Sequence, residues 1–200
     1  DFGWASYSPD GKRRAATAAE VGRKHTALAL LVMIDAPGRW QALGADWDLD
    51  VQPPLRWSDD GARVFFTAEQ SGRCHLWQAD PATERCTVFH EGGWVQGFDH
   101  AGDTTVLAAD SALHPARLLV RAGSAAPRRL DRFNDTLLAG FAFGEVKEVS
   151  VSGARGEPVQ MWLTFPAGFD PRRKYPVLHV IHGGPFSASG DLFSTRYNSH

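Results

Sequence analysis

Apolar positions along this chain fall in short runs punctuated by turn residues, with no long 3.6-residue periodicity. Between 53 and 90 the runs lie at about 53 to 57, 63 to 69, 73 to 79 and 85 to 90. They are rich in Val, Phe, Trp and Leu, residues that suit a pleated, half-buried surface. Ser58-Asp59-Asp60-Gly61 separates the first two and Asp80-Pro81-Ala82-Thr83-Glu84 the last two, so the pattern predicts four antiparallel strands. The apolar run from Thr26 to Ile34 is far short of the ~20 residues a membrane helix needs and reads as a buried strand.

One phrase recurs: an aromatic, a short acidic or Pro-containing turn ending in Gly, then a β-rich run. Its copies are Tyr7-Ser8-Pro9-Asp10-Gly11-Lys12, Trp57-Ser58-Asp59-Asp60-Gly61-Ala62 and the weaker Phe98-Asp99-His100-Ala101-Gly102-Asp103, with glycines 50 and then 41 residues apart. Asp-Gly supplies the positive φ that a tight hairpin requires. Four strands at this period are the signature of a β-propeller blade, which hides its faces against neighbouring blades. About three such units cannot close a ring of the usual ~4 to 8 blades, so the sequence reads as a piece of a longer protein or of a ring completed by other sequence. The recurring phrase lacks the Gly-His and Trp-Asp marks of WD repeats. The phrase resembles the repeat of TolB-type propellers and of the propellers of prolyl oligopeptidases.

After Leu130 the pattern changes. Asn134 is the expected N-cap of a short helix through about Ala139, ended by Gly140. Two alternating runs, Val146 to Val151 and Val159 to Phe165, flank the turn Gly153-Ala154-Arg155-Gly156 and predict a hairpin. Tyr175 to Ile181 is continuously apolar, as in a strand covered on both faces within the parallel part of an α/β sheet. His182-Gly183-Gly184-Pro185 follows directly. The fold expected is mixed: all-β propeller blades over 1–133, then the N-terminal part of an α/β-hydrolase domain over 134–200.

In esterases and peptidases of the α/β-hydrolase class an HGG-type loop after the third strand donates a backbone N–H to the oxyanion, and glycine lets the backbone approach the reacting carbonyl. The context of the loop, Phe165-Pro166-Ala167-Gly168-Phe169-Asp170-Pro171, then Lys174-Tyr175-Pro176-Val177, then HGGP, is similar to the entry of the catalytic domain in the prolyl oligopeptidase family. Arg196-Tyr197-Asn198 and the HGGP form look closest to its acylaminoacyl-peptidase and dipeptidyl-peptidase branches. The resemblance implies a serine-type peptidase acting on short peptides by acyl transfer, with the propeller restricting entry and no metal or organic cofactor. It places the oxyanion N–H at Gly184, lets Gly183 and Pro185 shape the loop, and has His182 anchor it. No serine here sits in a Gly-x-Ser-x-Gly elbow, and chain order in this fold puts the triad Asp and His after that serine. The triad is therefore expected beyond His200, leaving these residues inactive alone. Implied partners are a short peptide, the remainder of the same enzyme and a second copy joined through edge strands.

Composition changes little. The 200 residues are 43% hydrophobic and 22% charged, which excludes global disorder, and a net charge of -2 with no long run of either sign gives no footprint for nucleic acid or an anionic membrane. Two cysteines, Cys74 and Cys86, are too few for a disulfide scaffold, lie on neighbouring predicted strands where a bridge is conceivable, and read best as buried thiols. Low cysteine use suggests the cytoplasm. His179 and His182, three residues apart on a strand, point to opposite faces and are not read as a metal pair, and His200 is not the triad histidine. Trp57 and Trp77 are expected in a blade core, and Arg172-Arg173-Lys174 in a solvated loop. Glu69 and Arg73 flank a blade turn where they can line the propeller tunnel. Two rival readings are a TolB-like protein-binding propeller, which leaves HGGP unexplained, and a carboxylesterase with a propeller domain.

Overall fold

Three four-stranded antiparallel units follow one another in the computed structural model, which describes residues 1–20, 22, 27–44, 46–184 and 187–194. The first is β1 (Phe2–Tyr7), β2 (Arg14–Ala18), β3 (Leu30–Ala36) and β4 (Arg39–Ala42). The second is β5 (Val51–Trp57), β6 (Val64–Gln70), β7 (Arg73–Asp80) and β8 (Arg85–His90). The third is β9 (Trp94–Ala101), β10 (Thr104–Ser111), β11 (His114–Ala122) and β12 (Arg128–Arg129). Units two and three are joined by one parallel bridge, Cys74 to Trp94. β1 lies against β5 and β5 against β9, as the inner strands of successive propeller blades do. The strands of the second unit start and end within two residues of the positions read from sequence. Pro53 and Pro54 sit where the β5–β6 register shifts, on a strand at the edge of its unit, the place where a missing N–H is tolerated.

The core explains why β6 shows no polar alternation. Successive residues on a strand point to opposite faces, and here both faces are covered. Val64, Phe66 and Ala68 meet Ala15, Leu31 and Met33 of the first unit together with Trp77 and Ala79 of β7. Phe65 and Leu76 face the other way, onto Val95, Leu107 and Ala109 of the third unit. Phe66 and Leu76 are fully buried, each contributing about 1.5–3 kcal/mol by transfer from water. Trp47, on the crossover from the first unit to the second, stands edge-on to Phe66 and Trp77 at 5.5 and 4.8 Å. Trp57 and Trp77 lie in this core as expected, and each buried indole N–H has a partner, the carbonyls of Ser6 at 3.1 Å and Ala68 at 3.2 Å.

The repeated phrase is a hydrogen-bonded frame. In the first copy the Ser8 hydroxyl donates to Asp10 Oδ1 (2.6 Å) and accepts from the Arg13 N–H (2.9 Å), Asp10 accepts from the Lys12 N–H, and Gly11 N–H returns to the Ser8 carbonyl. Ser58, Asp60, Ala62, Arg63 and Gly61 repeat each of these bonds in the second copy. Gly11 and Gly61 take φ of 70° and 65°, where a Cβ would be strained. The frames also touch one another. Arg13 donates to the Gly61 carbonyl and stacks over Trp57, and the Gly102 N–H donates to Asp59 at 3.0 Å. In the third copy the serine position holds Asp99, which pairs instead with Arg56 of the preceding unit at 3.0 Å, and β9 runs on to Ala101.

Downstream lie α1 (Asp135–Leu138) and the hairpin of β13 (Val146–Ser152) and β14 (Pro158–Thr164), joined by a single 3₁₀ turn. The helix forms where expected, but Asn134 does not cap it through its side chain: at φ -105°, ψ 1° it lacks the extended backbone that swings a capping oxygen over the first turn. Tyr175 to Ile181 differs from expectation too. It forms no strand, and Val177, Leu178, Val180 and Ile181 are 65–88% exposed, because no described strand pairs with the run and no layer covers it. The described chain is thus mostly β with one short helix, and no parallel α/β sheet is present. No described helix is long and apolar enough to cross a membrane.

The thiols are free. Cys86 pairs with Ala79, five residues along β7 from Cys74, a separation of ~17 Å that no disulfide spans. Burial pushes Cys74 up to about 12 and Cys86 up to about 11, so both stay protonated.

The frame makes a stability prediction. Ser8→Ala removes a buried hydroxyl and strands the Arg13 N–H, which should cost about 1–2 kcal/mol in urea unfolding, and the less buried Ser58→Ala should cost less.

Candidate functional site

The turn between β6 and β7 places Ser71 and Gly72 at φ 50° and 69°, a tight two-residue hairpin that presents Arg73 at its edge. Across from it Glu148 and Trp162 are register partners on the β13–β14 hairpin. The Arg73 guanidinium lies over Trp162, 4.6 Å from the ring centre, and its Nη1 reaches Glu148 Oε2 at 2.6 Å. Its Nε faces Asp191 Oδ2 at 3.7 Å. Arg73 thus joins the second β unit to the hairpin, and Glu69 instead accepts from Gln52 at 2.8 Å.

An open cleft of about 690 Å³ lies beside this contact, lined by Gln70, Ser71, Arg73, His75, Glu91, Gly92 and Glu148. His75 is buried, and that burial pushes its pKa down against the pull of Glu91, so the imidazole is neutral at pH 7. Its Nδ1 accepts from the Gly92 N–H at 3.2 Å, which leaves the proton on Nε2. The cleft therefore offers one cation, two carboxylates and a neutral imidazole, a lining suited to a polar ligand.

Residues 189 to 193 run along the third unit next to the same contact. The Asp191 N–H donates to the Gly72 carbonyl at 2.7 Å, its Oδ1 accepts from the Ala112 N–H at 2.9 Å, and Trp162 Nε1 donates to the Ser189 carbonyl at 2.9 Å. Beneath lies Asp110, 5% exposed, with Oδ2 accepting from Gln96 and Oδ1 unpaired. Burial raises its pKa; the Gln96 bond, the Phe193 N–H and His114 oppose that rise, and Asp191 adds to it.

The residues singled out from sequence lie elsewhere. Gly184 has φ 148°, which disfavours any side chain, and a Cβ on Gly183 would meet open space. His182 is exposed, and its Nδ1 bonds the neighbouring Gly183 carbonyl at 3.0 Å. His179 is exposed as well, and no group of three or more His, Cys, Asp or Glu poised for a metal occurs among the described residues. Pro185, Arg196, Tyr197, Asn198 and His200 lie outside the described residues. Arg172, Arg173 and Lys174 are all exposed as expected, and Arg172 also forms a two-point surface pair with Asp170. Sequence reasoning missed Asp191, Glu148 and Trp162: they meet only in three dimensions, and no local spacing announces them.

No family model matches the chain. Dipeptidyl-peptidase 5 of Trichophyton equinum is 29% identical to it over 201 aligned positions, covering 96% of this chain and 27% of that protein. The chain is a distant homologue of dipeptidyl-peptidase 5. It spans about a quarter of the length of the curated relatives it matches. Among solved structures, the acylaminoacyl peptidase of Pyrococcus horikoshii superposes with a TM-score of 0.76 at 20% identity, over 94% of this chain and 29% of that one. The β-propeller domain of the trilobed protease from Pyrococcus furiosus superposes with a TM-score of 0.52 at 20% identity, over 66% of this chain and 38% of the other. These two likenesses establish the fold: the β units match the propeller region of peptidases.

Asp110 gives a pH prediction. A carboxyl raised above the ordinary 3.8 favours the folded state while protonated, and that contribution is lost as pH rises through its folded value. Asp110→Asn keeps an acceptor for Gln96, so its stability relative to wild type should improve from pH 4 to pH 7; a flat difference would mean the carboxylate is solvated.

Proposed function

We propose that these residues belong to a serine-type peptidase of the acylaminoacyl-peptidase or dipeptidyl-peptidase kind, with the β units gating entry of short peptides. The observation that carries this reading is the homology to dipeptidyl-peptidase 5 over 96% of the chain. The sequence His182-Gly183-Gly184 supports it, as does the positive φ of Gly184. In this reading residues 1–133 are propeller and 134–200 open the hydrolase domain, with β13 and β14 as its first strands and Tyr175–Ile181 pairing beside them in the intact protein.

The chemistry proposed is acyl transfer. A serine C-terminal to His200 attacks the peptide carbonyl, a histidine takes its proton and returns it to the leaving amine, and the Gly184 N–H holds the developing oxyanion. The deciding experiment compares acyl-peptide, dipeptide and p-nitrophenyl ester substrates on the intact protein, with fluorophosphonate labelling of the serine. Peptide turnover with labelling is expected. Ester-only turnover would make it a carboxylesterase, and neither turnover nor labelling would leave a TolB-like binding module.

Replacing Gly184 tests the loop itself. Gly184→Val in the intact protein should lower kcat on the order of 10²-fold with little change in KM, because the N–H acts chiefly on the transition state. Equal losses in kcat and in binding would reduce the loop to a wall of the pocket.

A further inference from the structure

The stretch just after the His182-Gly183-Gly184 loop is tied down by three separate elements. Trp162 of β14 donates to Ser189, the Gly72 turn accepts from the Asp191 N–H, and the β10–β11 turn donates through Ala112 to Asp191 Oδ1. Gly190 lies flat on the Trp94 ring, where a Cβ would collide with the indole. Asp191 is the centre of this knot: its backbone, both carboxylate oxygens and the facing Arg73 guanidinium all take part. Upstream the loop has no comparable hold, since the apolar residues of 177–181 are largely exposed and Gly183 faces open space. Asp191 lies seven positions after Gly184, a tether of at most ~25 Å.

We propose that Asp191 is a positioning residue: it pins the chain downstream of Gly183-Gly184 to the turns of the second and third β units, so that the propeller face sets where the loop sits. The effect on catalysis rests on the peptidase reading above; the effect on loop placement does not. Asp191 touches no reacting atom and acts through the backbone it holds. Its amide isostere preserves the bond from Ala112 while giving up the charge facing Arg73, which separates the geometric role from the electrostatic one.

The test uses the intact protein as wild type, Asp191→Ala and Asp191→Asn, with thermal unfolding to confirm that each variant folds. Hydrogen exchange of peptides containing Gly183 and Gly184 should speed up in Asp191→Ala and stay near wild type in Asp191→Asn. With a peptide substrate, kcat should fall about tenfold in Asp191→Ala with KM changed less than about twofold, and should be largely rescued in Asp191→Asn. Unchanged exchange at Gly183-Gly184 in a folded Asp191→Ala would overturn the proposal whatever the enzyme does. If wild type turns over no peptide yet exchange responds to the alanine, the pin stands and the peptidase reading falls.

Discussion

A four-stranded sheet that is apolar on both faces cannot stand alone in water, and this constraint organises everything from β1 to β12. The middle unit satisfies it by being sandwiched. Phe66 and Phe65, adjacent in sequence, serve two different cores because a strand alternates its faces and both faces have a neighbour. The first unit has a described neighbour on one side alone, and its aromatic residues Phe2, Trp4 and Trp40 remain exposed. Burial in this chain therefore measures how many neighbours a unit has rather than how apolar its residues are.

The turns add registration to that packing. Ser8 and Ser58 build the same frame, and each frame reaches the next through one side chain, Arg13 to Gly61 and Asp59 to Gly102. These contacts are partly exposed, and their free energy is small beside that of the buried aromatics. Their value is geometric. A sheet packed on a sheet by apolar side chains can slide, whereas a hydrogen bond between two turns fixes the offset between units. The third turn lacks the serine frame, and its Asp99 is recruited by Arg56, so an ion pair there joins the Asp59 to Gly102 bond in holding the offset.

Legibility followed the range of the interactions. The hairpins were readable because positive-φ glycines and strand alternation are local, and the strands of the second unit lie where the apolar runs put them. Tyr175 to Ile181 was read as a covered strand on the same evidence that β6 presents, a continuous apolar run. The two differ in having or lacking neighbours, and one sequence stretch cannot report that. It also cannot separate a parallel sheet's interior strand from the middle strand of a sandwiched antiparallel blade, since both are covered twice. Asn134 was placed correctly at the helix start, but its capping role depended on a backbone angle that composition does not fix. Of the candidate site, the glycines were visible as a motif, whereas the cluster around Arg73 draws on residues 73, 148, 162 and 191 and was invisible.

That cluster shows why the residue at 73 is an arginine. A planar guanidinium can lay its face on Trp162 and still present N–H groups at its edge to Glu148 and toward Asp191. A lysine ammonium would have to choose between the ring and the carboxylates. Side chains 18–37% exposed do not make such pairs strong, because water screens them. The arginine instead makes them mutually dependent: moving the β13–β14 hairpin breaks the stacking and the Glu148 pair together, and moving the 189–192 stretch disturbs the Gly72 turn on which Arg73 is mounted. Elements distant in sequence thus share one rigid group, and the geometry on one side of the contact constrains the geometry on the other.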